Sequence, residues 1–164
     1  MSVIDDLLRN NDAYAAAFEQ GGLPRRPAKK LTVLTCMDAR LDTYAMLGLH
    51  EGDAHVLRNA GAVVTGDQIR SLAVSQRLLG TEEVIVIMHT DCGMRTFEDE
   101  TFKRSIEAEV GVKPDWSEET FGDVHDDVRR AVAQIKASPF LPKRDSVRGF
   151  VYDVATGKLT EVEG

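Results

Sequence analysis

The chain is predicted to be a single-domain α/β protein, with a mostly parallel central sheet flanked by helices and a helical N-terminal arm. Three observations predict this. Short runs rich in Val, Ile and Leu alternate with stretches of helical periodicity. One of them, Val84-Ile85-Val86-Ile87-Met88, is apolar throughout, as strands are when helices cover both faces of a parallel sheet. The length of 164 residues suits one domain with a substantial core that needs no disulfide.

Residues 2–20 read as an amphipathic helix, with Ile4, Leu7, Leu8, Tyr14 and Phe18 near helical spacing and Gly21-Gly22 as its stop. A proline-bounded linker separates this arm (1–22) from an α/β core (28–164). Leu31 to Thr35 is a short buried strand that runs into Cys36. Residues 41–48 predict a short helix, Ala54 to Leu57 a second strand, and Asp67 to Leu79 a helix closed by Gly80. After the Val84–Met88 strand, residues 94–110 and 118–136 predict helices, with Pro114 and Trp116 in a loop between them. Val147 to Val154 reads as a strand, and Thr156-Gly157-Lys158 as a hairpin turn into Leu159 to Val162.

Composition narrows the function. Formal net charge is −7, from 27 acids against 20 Lys and Arg, which argues against nucleic acid and anionic membrane as partners. The basic run Pro24-Arg25-Arg26-Pro27-Ala28-Lys29-Lys30 is the exception, and reads as a solvated linker. The two cysteines do not make a secreted disulfide scaffold. Acids stand where a signal peptide would be basic, and no apolar run approaches a membrane span of about 20 residues. A cytoplasmic protein with reduced thiols is expected.

Both cysteines follow predicted strands. Cys36 ends the first, and His89-Thr90-Asp91-Cys92 follows the Val84–Met88 strand. Ligands of open α/β sheets gather outside the carboxyl ends of strands, where strand order reverses. If these strands are neighbours, Cys36, His89 and Cys92 converge. Two thiolates and an imidazole suit Zn2+ and leave a fourth tetrahedral position open. A cysteine at a strand end is often just a buried residue. What favours chemistry is Cys36-Met37-Asp38-Ala39-Arg40, which puts a carboxylate and its counter-charge close to the thiol. Arg40 can hold Asp38 ionised through paired hydrogen bonds. Such a pair taken alone is common as a surface ion pair.

The pattern Cys36-x-Asp38-x-Arg40, followed about fifty residues later by His89-x-x-Cys92-Gly93, resembles the β-class carbonic anhydrases. Gly52-Asp53-Ala54-His55-Val56-Leu57-Arg58-Asn59-Ala60-Gly61 is similar to that family's second-strand segment. The resemblance implies one zinc per chain on Cys36, His89 and Cys92, with Asp38 and Arg40 as the catalytic dyad. It implies reversible hydration of carbon dioxide to bicarbonate by zinc-bound hydroxide, which Asp38 orients. It also implies a homodimer or homotetramer, with the N-terminal helix extending onto a neighbouring subunit.

The chain departs from the plant-type pattern at three places. Pro27 stands nine residues before Cys36, where those proteins have a substrate-contacting glutamine. Met37 and Ala39 replace serines, and Met94 replaces a second glycine after Cys92-Gly93. Two alternatives keep the same ligands: hydrolysis of carbonyl sulfide or carbon disulfide, and a non-catalytic zinc-binding or redox-sensing descendant. His50, His55 and His125 are candidate proton shuttles, and Asp53 and Arg58 candidate structural supports.

Overall fold

The computed structural model describes residues 2–116, 119 and 121–163. Five strands form one sheet in the order β2-β1-β3-β4-β5. They are β1 (Leu31–Cys36), β2 (Ala54–Asn59), β3 (Glu83–His89), β4 (Val147–Tyr152) and β5 (Leu159–Val162). The first four run parallel, and β5 returns antiparallel to β4 through the predicted turn. The chain leaves β1 toward β2 on one side and comes back to β3 on the other. The strand order therefore reverses between β1 and β3, which are direct neighbours.

The helices are α1 (Val3–Ala16), α2 (Thr43–Leu47), α3 (Gly66–Arg77), α4 (Asp99–Val110) and α5 (Val124–Ala137). The larger core lies on one face of the sheet, where Leu34, Val84, Val86, Val147 and Val151 meet Leu72 of α3 and Val128, Ala131 and Ile135 of α5. The other face holds a smaller cluster around Val33, Leu49 and Ile87, with Met46 and Leu47 of α2 packed on it. Alternate residues of β1 and β3 thus face opposite cores, as the two-residue period of a strand requires. Helix α5 lies close on β4. A side chain at Gly149 would run into Val128 and Val132, so only glycine permits this approach.

Several boundaries differ from the expectation. Helix α1 stops at Ala16, short of the glycine pair. The stretch 94–110 is not one helix, because a 3₁₀ turn over Gly93–Arg95 is separated from α4 by a break. Helix α5 starts at Val124 rather than at 118. Asp123 caps it by accepting from the backbone N–H groups of His125 and Asp126, and Glu118 lies outside the described residues. The β4 strand ends at Tyr152, where Asp153 enters the hairpin turn. Helix α1 has no buried residue. Its capping box at Ser2 and Asp5 organises the start, and Tyr14 Oη donates to Glu51 near the far end. No helix among the described residues is long and apolar enough to cross a membrane.

Candidate metal centre

The β1–β3 neighbourhood delivers what the motif spacing anticipates. Cys36 is the last residue of β1 and His89 the last of β3. Cys92 follows after a tight turn. All three are buried, and their ligand atoms lie within 4.8 Å of one another. The Cys36 and Cys92 sulfurs are 4.0 Å apart. Two thiolates on one tetrahedral zinc, each at about 2.3 Å, stand about 3.8 Å apart, so the spacing fits such an ion.

The imidazole fits as well. His89 Nδ1 lies 2.8 Å from the Thr90 carbonyl oxygen, to which it donates. That bond fixes the tautomer and leaves the lone pair on Nε2, as in metal-binding histidines generally. Nε2 is buried and has no hydrogen-bond partner among the described residues. An orphaned acceptor facing two thiols is what a bound cation would satisfy. Electrostatics agree. Burial pushes the Cys36 thiol up, but His89 and the backbone amides of Asp38 and Gly61 outweigh it and hold the thiol at about 7. Burial, with the neighbouring Cys36, pushes Cys92 up. Two buried thiolates this close repel unless a cation lies between them.

Asp38 and Arg40 sit beside this cluster. Arg40 donates Nε to Asp38 Oδ1 at 2.9 Å and Nη2 to Oδ2 at 2.8 Å, a two-pronged pair, and the Arg40 backbone N–H adds a bond to Oδ1 at 2.9 Å. These bonds hold the Asp38 carboxyl far below the usual carboxylate range. Asp38 stands outside the cluster of ligand atoms, yet its Oδ2 is 3.8 Å from His89 Nε2.

The end of β2 frames the loop that carries both. Arg58 donates Nε to the Cys36 carbonyl at 2.9 Å and Nη2 to the Asp38 carbonyl at 2.6 Å. The Asn59 side chain brackets Val63 through two hydrogen bonds. In the turn so closed, Gly61 is left-handed (φ 82°) and its N–H lies 3.4 Å from Cys36 Sγ. A side chain at Gly61 would also run into the Phe121 ring. Sequence reasoning gave Arg58 only a supporting place and missed Gly61 as a donor to the thiolate. A glycine two residues after Asn59, in Arg58-Asn59-Ala60-Gly61, was the one visible signal.

The remaining candidates stay apart. His55 pairs with Thr32 at the start of β1, about 13 Å of strand from Cys36, and its Nδ1 meets Ser75 Oγ at 2.7 Å. His50 lies exposed beside Asp53 before β2, and His125 lies exposed beside Asp123 at the start of α5. Asp53 accepts from the His50 backbone N–H and so shapes the turn into β2, as expected of a supporting residue. Pro27 is buried in the linker and offers no side-chain donor.

Fold and site together define a mostly parallel α/β protein with a two-thiol, one-imidazole candidate metal centre at the carboxyl edge of its sheet. A sequence profile of the carbonic anhydrase family matches residues 31–110. Beta-carbonic anhydrase 1 of Mycobacterium tuberculosis is 58% identical over 162 residues, which covers 99% of this chain and 99% of that protein. The carbon disulfide hydrolase of Acidithiobacillus thiooxidans is 34% identical over 88% of this chain and 81% of its own length. The crystal structure of carbonic anhydrase from Streptococcus mutans superposes with a TM-score of 0.92 at 41% identity, covering 99% of each chain. The chain belongs to the β-carbonic anhydrase family.

Proposed function

We propose that the protein is a zinc lyase that interconverts carbon dioxide and bicarbonate, with zinc on Cys36, His89 and Cys92 and with Asp38 and Arg40 as the dyad. The observation that carries this reading is the arrangement of the two Asp38 oxygens. Oδ1 is taken by Arg40, whereas Oδ2 keeps acceptor capacity and faces the ligand cluster. Zinc, when bound, supplies a Lewis acid that makes hydroxide available near neutral pH. Asp38, kept ionised by Arg40, can only accept a hydrogen bond. It accepts a hydrogen bond from the attacking oxygen and so turns a lone pair of that oxygen toward the carbon of carbon dioxide. In the reverse direction the same oxygen selects the protonated oxygen of bicarbonate. Gly61 and Arg58 support this by holding Cys36 and the Asp38 backbone.

A stopped-flow carbon dioxide hydration assay alongside metal analysis tests the proposal. Full zinc occupancy without hydration would favour the non-catalytic reading. Faster turnover of carbon disulfide or carbonyl sulfide than of carbon dioxide would favour the hydrolase reading, which the relative from Acidithiobacillus thiooxidans keeps open.

The proposal extends to assembly and location. Ile4, Leu7, Leu8, Tyr14 and Phe18 of the N-terminal segment are all exposed, so α1 carries an unburied apolar stripe. An isolated helix of this length is unstable in water, which supports docking on a neighbouring subunit in a homodimer or homotetramer. Cys36 and Cys92 are free thiols, and a site that needs both reduced suits the cytoplasm.

A further inference from the structure

The site as described leaves Asp91 without a role. It sits between His89 and Cys92, in the turn that joins the two ligands. Its backbone is left-handed (φ 52°), a conformation rare for residues other than glycine and one that Asp tolerates better than most. In that conformation it offers two acceptors to a single guanidinium. Its carbonyl oxygen is 2.8 Å from Arg40 Nη2, and its Oδ2 is 2.8 Å from Arg40 Nη1. The other edge of the same guanidinium holds Asp38. One Nη1 hydrogen is all that remains for solvent.

We infer that Asp91 is a positioning residue for the dyad: by holding the far edge of Arg40 it sets where Asp38 Oδ2 stands relative to the metal ligands. A guanidinium gripped only by Asp38 can swing with it on the Arg40 stem. Gripped also by Asp91, the pair is tied to the loop that carries His89 and Cys92. The bland alternative is a surface ion pair, since the Asp91 side chain is 80% exposed and that of Arg40 45% exposed. Such pairs add little to stability. The effect of removing this one is therefore expected in turnover, with the melting temperature unchanged.

The inference rests on the proposed hydration activity for one readout and is independent of it for the other. Zinc-loaded parent protein is compared with Asp91→Gly, which keeps the left-handed backbone and the carbonyl but removes the carboxylate, and with Asp91→Asn, which keeps a side-chain acceptor. Asp91→Gly should lower kcat for carbon dioxide about two- to fivefold at unchanged KM, zinc content and melting temperature, and Asp91→Asn should recover most of the loss. The 15N–1H signal of Arg40 Nε should exchange with solvent faster in Asp91→Gly than in the parent. An active parent with unchanged kcat in Asp91→Gly overturns the inference, whatever the Nε signal does. So does a loss of kcat that follows zinc loss in both variants. If the parent itself does not hydrate carbon dioxide, the functional proposal falls, and unchanged Nε exchange in Asp91→Gly then overturns this inference separately.

Discussion

Asp38 Oδ2 stands 3.8 Å from His89 Nε2, too far for a hydrogen bond and near enough for both atoms to address one point. Nε2 brings a lone pair without a partner, and Oδ2 brings a charge held by Arg40. A candidate metal ligand and a carboxylate oxygen are thereby arranged around a shared space.

The protein as purified should contain about one zinc per chain. Cys36→Ser, Cys92→Ser or His89→Ala should each remove most of it, read by elemental analysis. A Cys36→Ser/Cys92→Ser double variant that stays fully loaded would sink the ligand assignment.

Asp38→Ala should lose about 10²–10⁴-fold in turnover, the usual worth of a positioned acid–base group, with zinc retained. Asp38 lies beside the Cys36–His89–Cys92 cluster and not within it. Zinc loss as complete as in His89→Ala would show that this role is wrong.

The pH dependence of stability has a definite sign. Hydrogen bonds from Arg40 lower the Asp38 pKa in the folded chain, against about 3.9 for a free aspartate. A carboxylate depressed on folding contributes stability that is full above the unfolded value and lost as pH falls through the folded one. The stability gap between the parent and Asp38→Asn should therefore be full at about pH 5 and shrink below about pH 3.9. Urea titrations at and below about pH 5 would measure it, and a gap that stays full well below about pH 3.9 would contradict the pairing.

Gly61→Ala combines a left-handed backbone with a side chain directed at the Phe121 ring. It should cost about 1–3 kcal/mol in stability, seen as a lower melting temperature. Because the Gly61 N–H approaches Cys36 Sγ, weaker zinc retention should accompany it under chelator challenge. A variant with parental melting and retention would remove Gly61 from the frame of the site.

Deletion through Gln20 should lower the assembly state at micromolar concentration, because Ile4, Leu7 and Leu8 stay exposed among the described residues. Sedimentation velocity distinguishes the outcomes. A parent that is monomeric, or a truncated form that assembles like the parent, would contradict the docking of α1 on a neighbour.

The chain by itself determined the elements and the donor set. The uninterrupted apolar run Val84–Met88 marked β3, because strands covered on both faces admit little else, and a shorter run broken by Thr32 and Thr35 marked β1. The spacing of Cys36, Asp38, Arg40, His89 and Cys92 carried their chemistry, because a strand end followed by a tight loop confines side chains only a few residues apart. Only the tertiary structure decided that β1 lies beside β3, since strand order depends on how crossovers pack and leaves no local trace. It also decided which N–H and C=O groups surround the site. Arg58 on two carbonyls, the Gly61 amide on Cys36 and Asp91 on Arg40 join residues from separate strands and loops. Hydrogen bonds of this kind leave no periodicity in a sequence, because their geometry exists only once the chain ends of β1, β2 and β3 have been brought together.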